Sequence, residues 1–187
     1  MLFDLALIPG LAVRDDLVTP SEEAQLIGRI AELGLTPFRF QGFTGKRLTT
    51  SFGWAYDFEK GGLGKANPIP DWLLPVRDRA ASFAGLDPRD LVQALVIRYD
   101  PGAGIGWHRD RPVFDRVVGV SLGAPALLGF RQRTPSGFRR VKLPLAPRSA
   151  YGLSGEVRHA WEHGIAAHDA VRFSITFRTL SERAPSR

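Results

Sequence analysis

Cysteine is absent from this chain of 187 residues, and histidine occurs only four times. The first absence excludes disulfides, Cys-ligated zinc, iron–sulfur clusters and a thiol nucleophile together. The second confines any histidine-based metal or acid–base site to His108, His159, His163 and His168. No run approaches the ~20 apolar residues that span a bilayer, so no membrane association is expected. The opening stretch MLFDLALIPGLAV carries Asp4 and no early Lys or Arg. It lacks the positive region of a signal peptide and reads as a first strand, in a chain expected to be cytoplasmic. No repeat, low-complexity tract or long linker divides the sequence. With 44% hydrophobic and 24% charged residues, 1–187 is expected to fold as a single domain.

Acid is missing from one long stretch as well. Between Arg116 and Glu156 there is no Asp or Glu, whereas Arg131, Arg133, Arg139, Arg140, Lys142 and Arg148 all fall there. The net charge of +6 is therefore unevenly placed. Residues 1–90 hold 10 Lys/Arg against 12 Asp/Glu, a net of −2, and residues 91–187 hold 15 against 7, a net of +8. A one-sided field of this kind attracts phosphates. The plain alternative is an arginine-rich composition, since 21 of the 25 basic residues are Arg.

The chain divides into helices first and strands afterwards. Thr19-Pro20-Ser21-Glu22 reads as a capping box opening a helix over about 20–34. A second helix is expected from Trp72 to Phe83, with Asp71 as its cap and a stop at Gly85. From residue 91 the pattern is strand and turn: Leu95–Tyr99, Val117–Leu122, Leu127–Arg131, Phe138–Leu143, Ala150–Leu153 and Val171–Thr179. No helix-length segments alternate with these strands. That excludes a parallel α/β sheet and predicts a mainly β, α+β domain, a jelly roll or barrel braced by helices.

The most informative stretch is Gly106-Trp107-His108-Arg109-Asp110. In an extended segment residues i and i+2 share a face, so His108 and Asp110 can reach one ion together. An imidazole and a carboxylate are two thirds of the facial triad of non-haem Fe(II) oxygenases. The third ligand must be His159, His163 or His168; a glycine directly follows His163 and lets backbone approach closely. In the last strand Val171, Phe173, Ile175 and Phe177 alternate with Arg172, Ser174, Thr176 and Arg178. A strand face with arginine at both ends suits a compact dianion, although a solvent-facing strand would carry the same residues.

Together these blocks, RYDPGAGIGWHRD, VVGVSLG, EVRHAWEHGI and RFSITFR, resemble the AlkB family of Fe(II)- and 2-oxoglutarate-dependent dioxygenases over roughly residues 47–179. The resemblance implies a double-stranded β-helix over 91–180, preceded by helices and a substrate lid in 1–90. It selects His163 over the other two histidines, and implies Fe(II) ligation by His108, Asp110 and His163. It further implies 2-oxoglutarate binding by Tyr99, Arg172 and Arg178, with Ser174 contributing, and O₂ as co-substrate. Oxidative decarboxylation to succinate and CO₂ would accompany hydroxylation of an N-methyl group, which then leaves as formaldehyde.

Two positions depart from the family pattern. Ile97 stands where the family usually has Asn, removing one hydrogen bond to 2-oxoglutarate. Arg111-Pro112 stand where many members carry an acid that reads the damaged base, and the next acid is Asp115. RLTTSFGWAYDF (47–58) resembles the end of the family's lid. Phe52, Trp54 and Tyr56 alternate there; Trp54 and Tyr56 are the candidates to stack on a base, with Lys46 and Arg47 on the phosphate backbone. The expected function is oxidative demethylation of alkylated nucleobases in DNA or RNA, in alkylation damage repair, by a monomer. The same iron chemistry on a protein, lipid or metabolite is the second reading, and a non-catalytic jelly-roll binding module the third.

Overall fold

The computed structural model describes residues 8–40, 43–57 and 62–182. The chain begins with β1 (Leu11–Arg14), α1 (Pro20–Ala31), β2 (Thr36–Phe40), β3 (Phe43–Phe52), β4 (Trp54–Asp57), β5 (Gly62–Lys65) and α2 (Leu74–Ala84). It continues with β6 (Gln93–Tyr99), β7 (Ala103–His108), β8 (Phe114–Gly123), β9 (Ala126–Thr134), β10 (Gly137–Leu145) and β11 (Ala150–Leu153). It ends with α3 (Gly155–Ala160), β12 (Glu162–His168) and β13 (Arg172–Leu180). No helix among the described residues is long and apolar enough to cross a membrane.

Local chemistry accounts for the helix ends. At α1 the Thr19 hydroxyl accepts from the Glu22 N–H at 3.2 Å and the Glu22 carboxylate accepts from the Thr19 N–H at 2.8 Å. The expected box is present. The second helix starts later than its sequence suggests: Asp71–Leu73 form a 3₁₀ turn, and no side chain caps α2. Pro75, confined to the first turn where its missing N–H has no partner to lose, sets that start. Gly85, at φ 64°, ends the helix in the left-handed conformation.

The strands form an antiparallel double-stranded β-helix. A seven-stranded sheet in the order β1-β11-β8-β13-β6-β3-β2 faces a four-stranded sheet in the order β10-β9-β12-β7, while β4 and β5 form a separate ribbon. β1, β2 and β3 belong to the larger sheet, so the jelly roll is not confined to 91–180: the N-terminal half supplies three of its strands. The reason is visible at β3, whose Leu48–Phe52 pair with Arg98–Ala94 of β6 and continue the ladder.

One apolar layer joins α1 and α2 to the outside of the large sheet: Leu26, Ile30, Leu73, Val76 and Ala80 meet Val96, Val120, Phe173, Ile175 and Phe177. A second layer lies between the sheets, with Leu128, Phe130, Leu143, Trp161 and Ile165. β13 is therefore covered on both sides. Its polar face, Arg172, Ser174, Thr176 and Arg178, is at most 8% exposed and looks into the interior of the jelly roll, which excludes the solvent-facing alternative.

Candidate active site

β12 pairs with β7 so that His163 lies opposite His108. This close approach depends on glycine. A Cβ on Gly164 would sit 2.9 Å from the Ile105 carbonyl oxygen, and one on Gly104 only 2.6 Å from that of Ile165. His108 and Asp110 do come to one point, as expected, although Asp110 lies two residues beyond the end of β7. Asp110 sits in the irregular segment that follows β7, where Arg178 holds it. The three ligand atoms come within 4.8 Å of one another. His163 Nε2 is 3.6 Å from Asp110 Oδ2, and the two imidazole centroids are 4.3 Å apart.

Charge in this cluster is settled by burial and by neighbours. Burial pushes the His163 imidazole down to about 3, helped by His108 and opposed by Asp110. Burial lowers His108 as well, again against the pull of Asp110. For Asp110 burial works in the other direction, but Arg178, His163 and His108 outweigh it and hold the carboxyl well below its usual range. The result is one carboxylate and two neutral imidazoles. His108 Nδ1 lies 2.8 Å from the Gly106 carbonyl, which can only accept, so Nδ1 carries the proton and Nε2 keeps its lone pair.

Asp110 is oriented asymmetrically. Its Oδ1 accepts from Arg178 Nε at 2.9 Å, and Arg178 Nη2 lies 2.7 Å away. Its Oδ2 is buried without a hydrogen-bond partner. A buried, unpartnered carboxylate oxygen beside two imidazole lone pairs is costly unless a cation joins them, and a His₂–carboxylate set is the donor set for Fe(II).

Deeper between the sheets is a second polar group. Arg172 is 1% exposed and lies opposite Tyr99 in the ladder, its guanidinium 5.1 Å from the Tyr99 ring centroid. Nη2 donates to the Ser121 hydroxyl at 3.1 Å, while Nε and Nη1 are buried with no partner. Ser174 stands opposite Ser121 and is itself buried. A buried guanidinium with two free donors and no facing acid fits a carboxylate arriving with the co-substrate. The two arginines differ in their partners. Arg178 is held by Asp110 and by Gln93, whose Oε1 accepts from Nη1 at 2.9 Å. Of the two, Arg172 is the one that presents unpaired donors.

Residues 11–178 match the family model of the 2OG-Fe(II) oxygenase superfamily. This chain is an AlkB-family 2-oxoglutarate-dependent dioxygenase. It is 29% identical over 181 residues to the tRNA (carboxymethyluridine(34)-5-O)-methyltransferase ALKBH8 of Mus musculus, an alignment covering 92% of this chain and 27% of that one. To the alkylated DNA repair protein ALKBH8 homolog of Arabidopsis thaliana it is 30% identical over 201 residues, covering 92% of this chain and 56% of the other. It thus spans between about a quarter and just over half the length of these relatives. The solved structure of OsALKBH1 has the same fold, with a TM-score of 0.72 at 17% identity, over 92% of this chain and 98% of that one.

Family membership makes Fe(II), 2-oxoglutarate and O₂ the reagents of this AlkB-family chain, and its His-Asp-His cluster fits the metal. The other histidines stand apart. His159 is exposed and 3.1 Å from Asp115, and His168 lies at the far end of β12, opposite Ala103. Phe52 packs on the apolar layer under the helices. Trp54 lies half-buried in β4; Tyr56 is in the same strand, with its side chain outside the described residues. Arg47 lies nearer the cluster than a purely surface residue would. It is half-buried over the Phe38 ring at 3.9 Å, its Nε is without a partner, and its charge reaches His108. Burial, with Arg178 adding to it, lowers its pKa.

Sequence reasoning missed Ser121, Gln93 and Arg158. Arg158 is 3% exposed, and its Nη2 donates to the Arg111 and Phe114 carbonyls at 2.8 and 2.5 Å. It thereby pins the backbone just after Asp110. Ser121 did leave a signal, as the one polar side chain in the buried apolar run Val117–Leu122. Gln93 and Arg158 left none.

Proposed function

We propose that this dioxygenase oxidises an alkyl group on a nucleobase within DNA or RNA. The observation that carries the reading is the joint geometry of the His108–Asp110–His163 cluster and the unpaired donors of Arg172 beside Tyr99. His108 Nε2, Asp110 Oδ2 and His163 Nε2 would hold the iron. Arg172 would take the distal carboxylate of 2-oxoglutarate, with Tyr99, Ser174 and Ser121 around it. Arg178 keeps Asp110 oriented, and Ile97 leaves an apolar wall beside Tyr99. When bound, iron and 2-oxoglutarate supply the oxidation: O₂ is consumed, 2-oxoglutarate yields succinate and CO₂, and one oxygen atom enters a substrate C–H bond. On an N-methyl base the hydroxymethyl product releases formaldehyde and restores the free base.

The acid-free run and the net of +8 on residues 91–187 support a polyanionic substrate. Relatives whose names concern tRNA weight the reading toward RNA. A second reading keeps the oxidation and changes the substrate to a protein, lipid or metabolite. One observation favours it: the first acid after Asp110, Asp115, is turned to His159 and so supplies no base reader. A succinate-release screen over methylated RNA, methylated DNA, peptides and fatty acids separates them. Stimulation by methylated oligonucleotides is expected. Stimulation by peptide or fatty acid alone would replace the first reading by the second.

A further inference from the structure

The outward face of the four-stranded sheet gathers the acid-free run into one platform. Cross-strand pairing sets Phe138 opposite Arg133, Arg140 opposite Arg131, and Lys142 opposite Gly129, so these side chains share the face turned away from buried Phe130, Leu143 and Leu145. Trp107, 42% exposed, lies on the same face. It is seated on Gly129, where a Cβ would stand 2.8 Å from the indole Cη2.

Arg131 lies between the two aromatics, 4.8 Å from the Trp107 ring and 4.5 Å from that of Phe138, and is tied to Glu162 at 2.6 Å. Arg133 and Arg140 flank Phe138 at 5.8 and 5.3 Å. Among the described residues neither these two nor Lys142 forms an ion pair. The hairpin of β9 and β10 continues past the level of Phe130, which pairs with His163. The platform therefore sits at the end of the sheet that holds the metal cluster.

We infer that this face docks single-stranded nucleic acid, with Arg133, Arg140 and Lys142 on phosphates and Phe138 and Trp107 stacking on unpaired bases. Three cations that form no ion pair among the described residues attract a polyanion. Guanidinium forks match phosphate oxygens. The aromatic rings interleaved with them, exposed Trp107 and half-buried Phe138, suit unpaired bases, which a duplex keeps stacked inside. The inference rests on the nucleic-acid reading above and names the surface that reading needs.

The test is fluorescence anisotropy of a labelled, unmethylated single-stranded RNA over about 50 to 200 mM salt, using the whole chain. The triple variant Arg133→Glu, Arg140→Glu, Lys142→Glu should bind at least ~10-fold more weakly at low salt. Its log–log salt slope should flatten by about 2, as for three lost single-strand phosphate contacts. Phe138→Ala should weaken single-strand binding ~10-fold with little change in slope. An unchanged melting temperature and unchanged turnover of a free methylated nucleoside show that fold and chemistry are intact. Equal affinity and slope in the triple variant overturn the platform, as does a duplex bound as tightly as the single strand. If no methylated nucleic acid releases succinate, the function proposed above fails instead, and the anisotropy still judges the surface by itself.

Discussion

At the residue scale the site is built from polar atoms left deliberately incomplete. Arg172 is fully buried, yet two of its donors lack partners. Charged hydrogen bonds contribute about 1.5–3 kcal/mol each. Arg172→Ala should therefore raise the Kd for 2-oxoglutarate by roughly one to two orders of magnitude, measured by calorimetry with Mn(II) in place of iron. Metal affinity without 2-oxoglutarate should hardly change, because Arg172 does not touch the cluster. His163 carries the pH dependence. Its folded pKa, about 3, lies below the ordinary imidazole value, so the unfolded chain takes up a proton between pH ~6.5 and ~3 that the folded apoprotein refuses. Stability is thus full above pH ~6.5 and falls on acidification, by up to ~1.4 kcal/mol per pH unit for this group. Urea titrations of the apoprotein from pH 7 to 5 should show that fall, with a shallower one in His163→Gln.

At the element scale the helices hold the large sheet from outside, and α1 is the better defined of the two. Its capping box closes two otherwise unpaired N–H groups, and Glu22 also binds Arg79 of α2 at 2.8 Å. The Arg79 guanidinium and the Thr19 N–H together lower the Glu22 carboxyl to about 2. Thr19→Ala should lower stability by about 1 kcal/mol in urea unfolding, leaving metal and 2-oxoglutarate binding intact, since no residue of α1 enters the site. The α1 capping box and the Gly85 stop of α2 were legible because such signals are local, whereas the cap expected at Asp71 gave way to a 3₁₀ turn. β12 was not. Glu162–His168 is short, has no clean alternation, and is a strand only because β7 and β9 flank it. β3 was likewise read as part of a lid because its place in the large sheet depends on β6, some fifty residues later in the chain.

At the scale of the whole molecule, two sheets facing each other create an interior that no single segment contains. His108 and His163 come from two strands of one sheet and Asp110 from the segment after β7, while Arg172 and Arg178 come from the other sheet. Ligands that bind only the folded state stabilise all of it. Mn(II) at a hundredfold excess over its Kd should add about 2.7 kcal/mol to unfolding. The rise in melting temperature should be largest with 2-oxoglutarate present and absent in His108→Ala.

The sequence by itself determined the chemistry available: no thiol, four imidazoles, one His-x-Asp, and a strand alternating apolar residues with arginines and hydroxyls. Spacing and residue type suffice for that, because they are properties of neighbours along the chain. Only the tertiary structure decided what each arginine does. Arg172 and Arg178 occupy equivalent positions in the alternation, yet one faces Ser121 and Tyr99 and the other Asp110 and Gln93. Their partners are set by strand order and register across the sheets, and a local pattern carries no record of which strand will lie opposite.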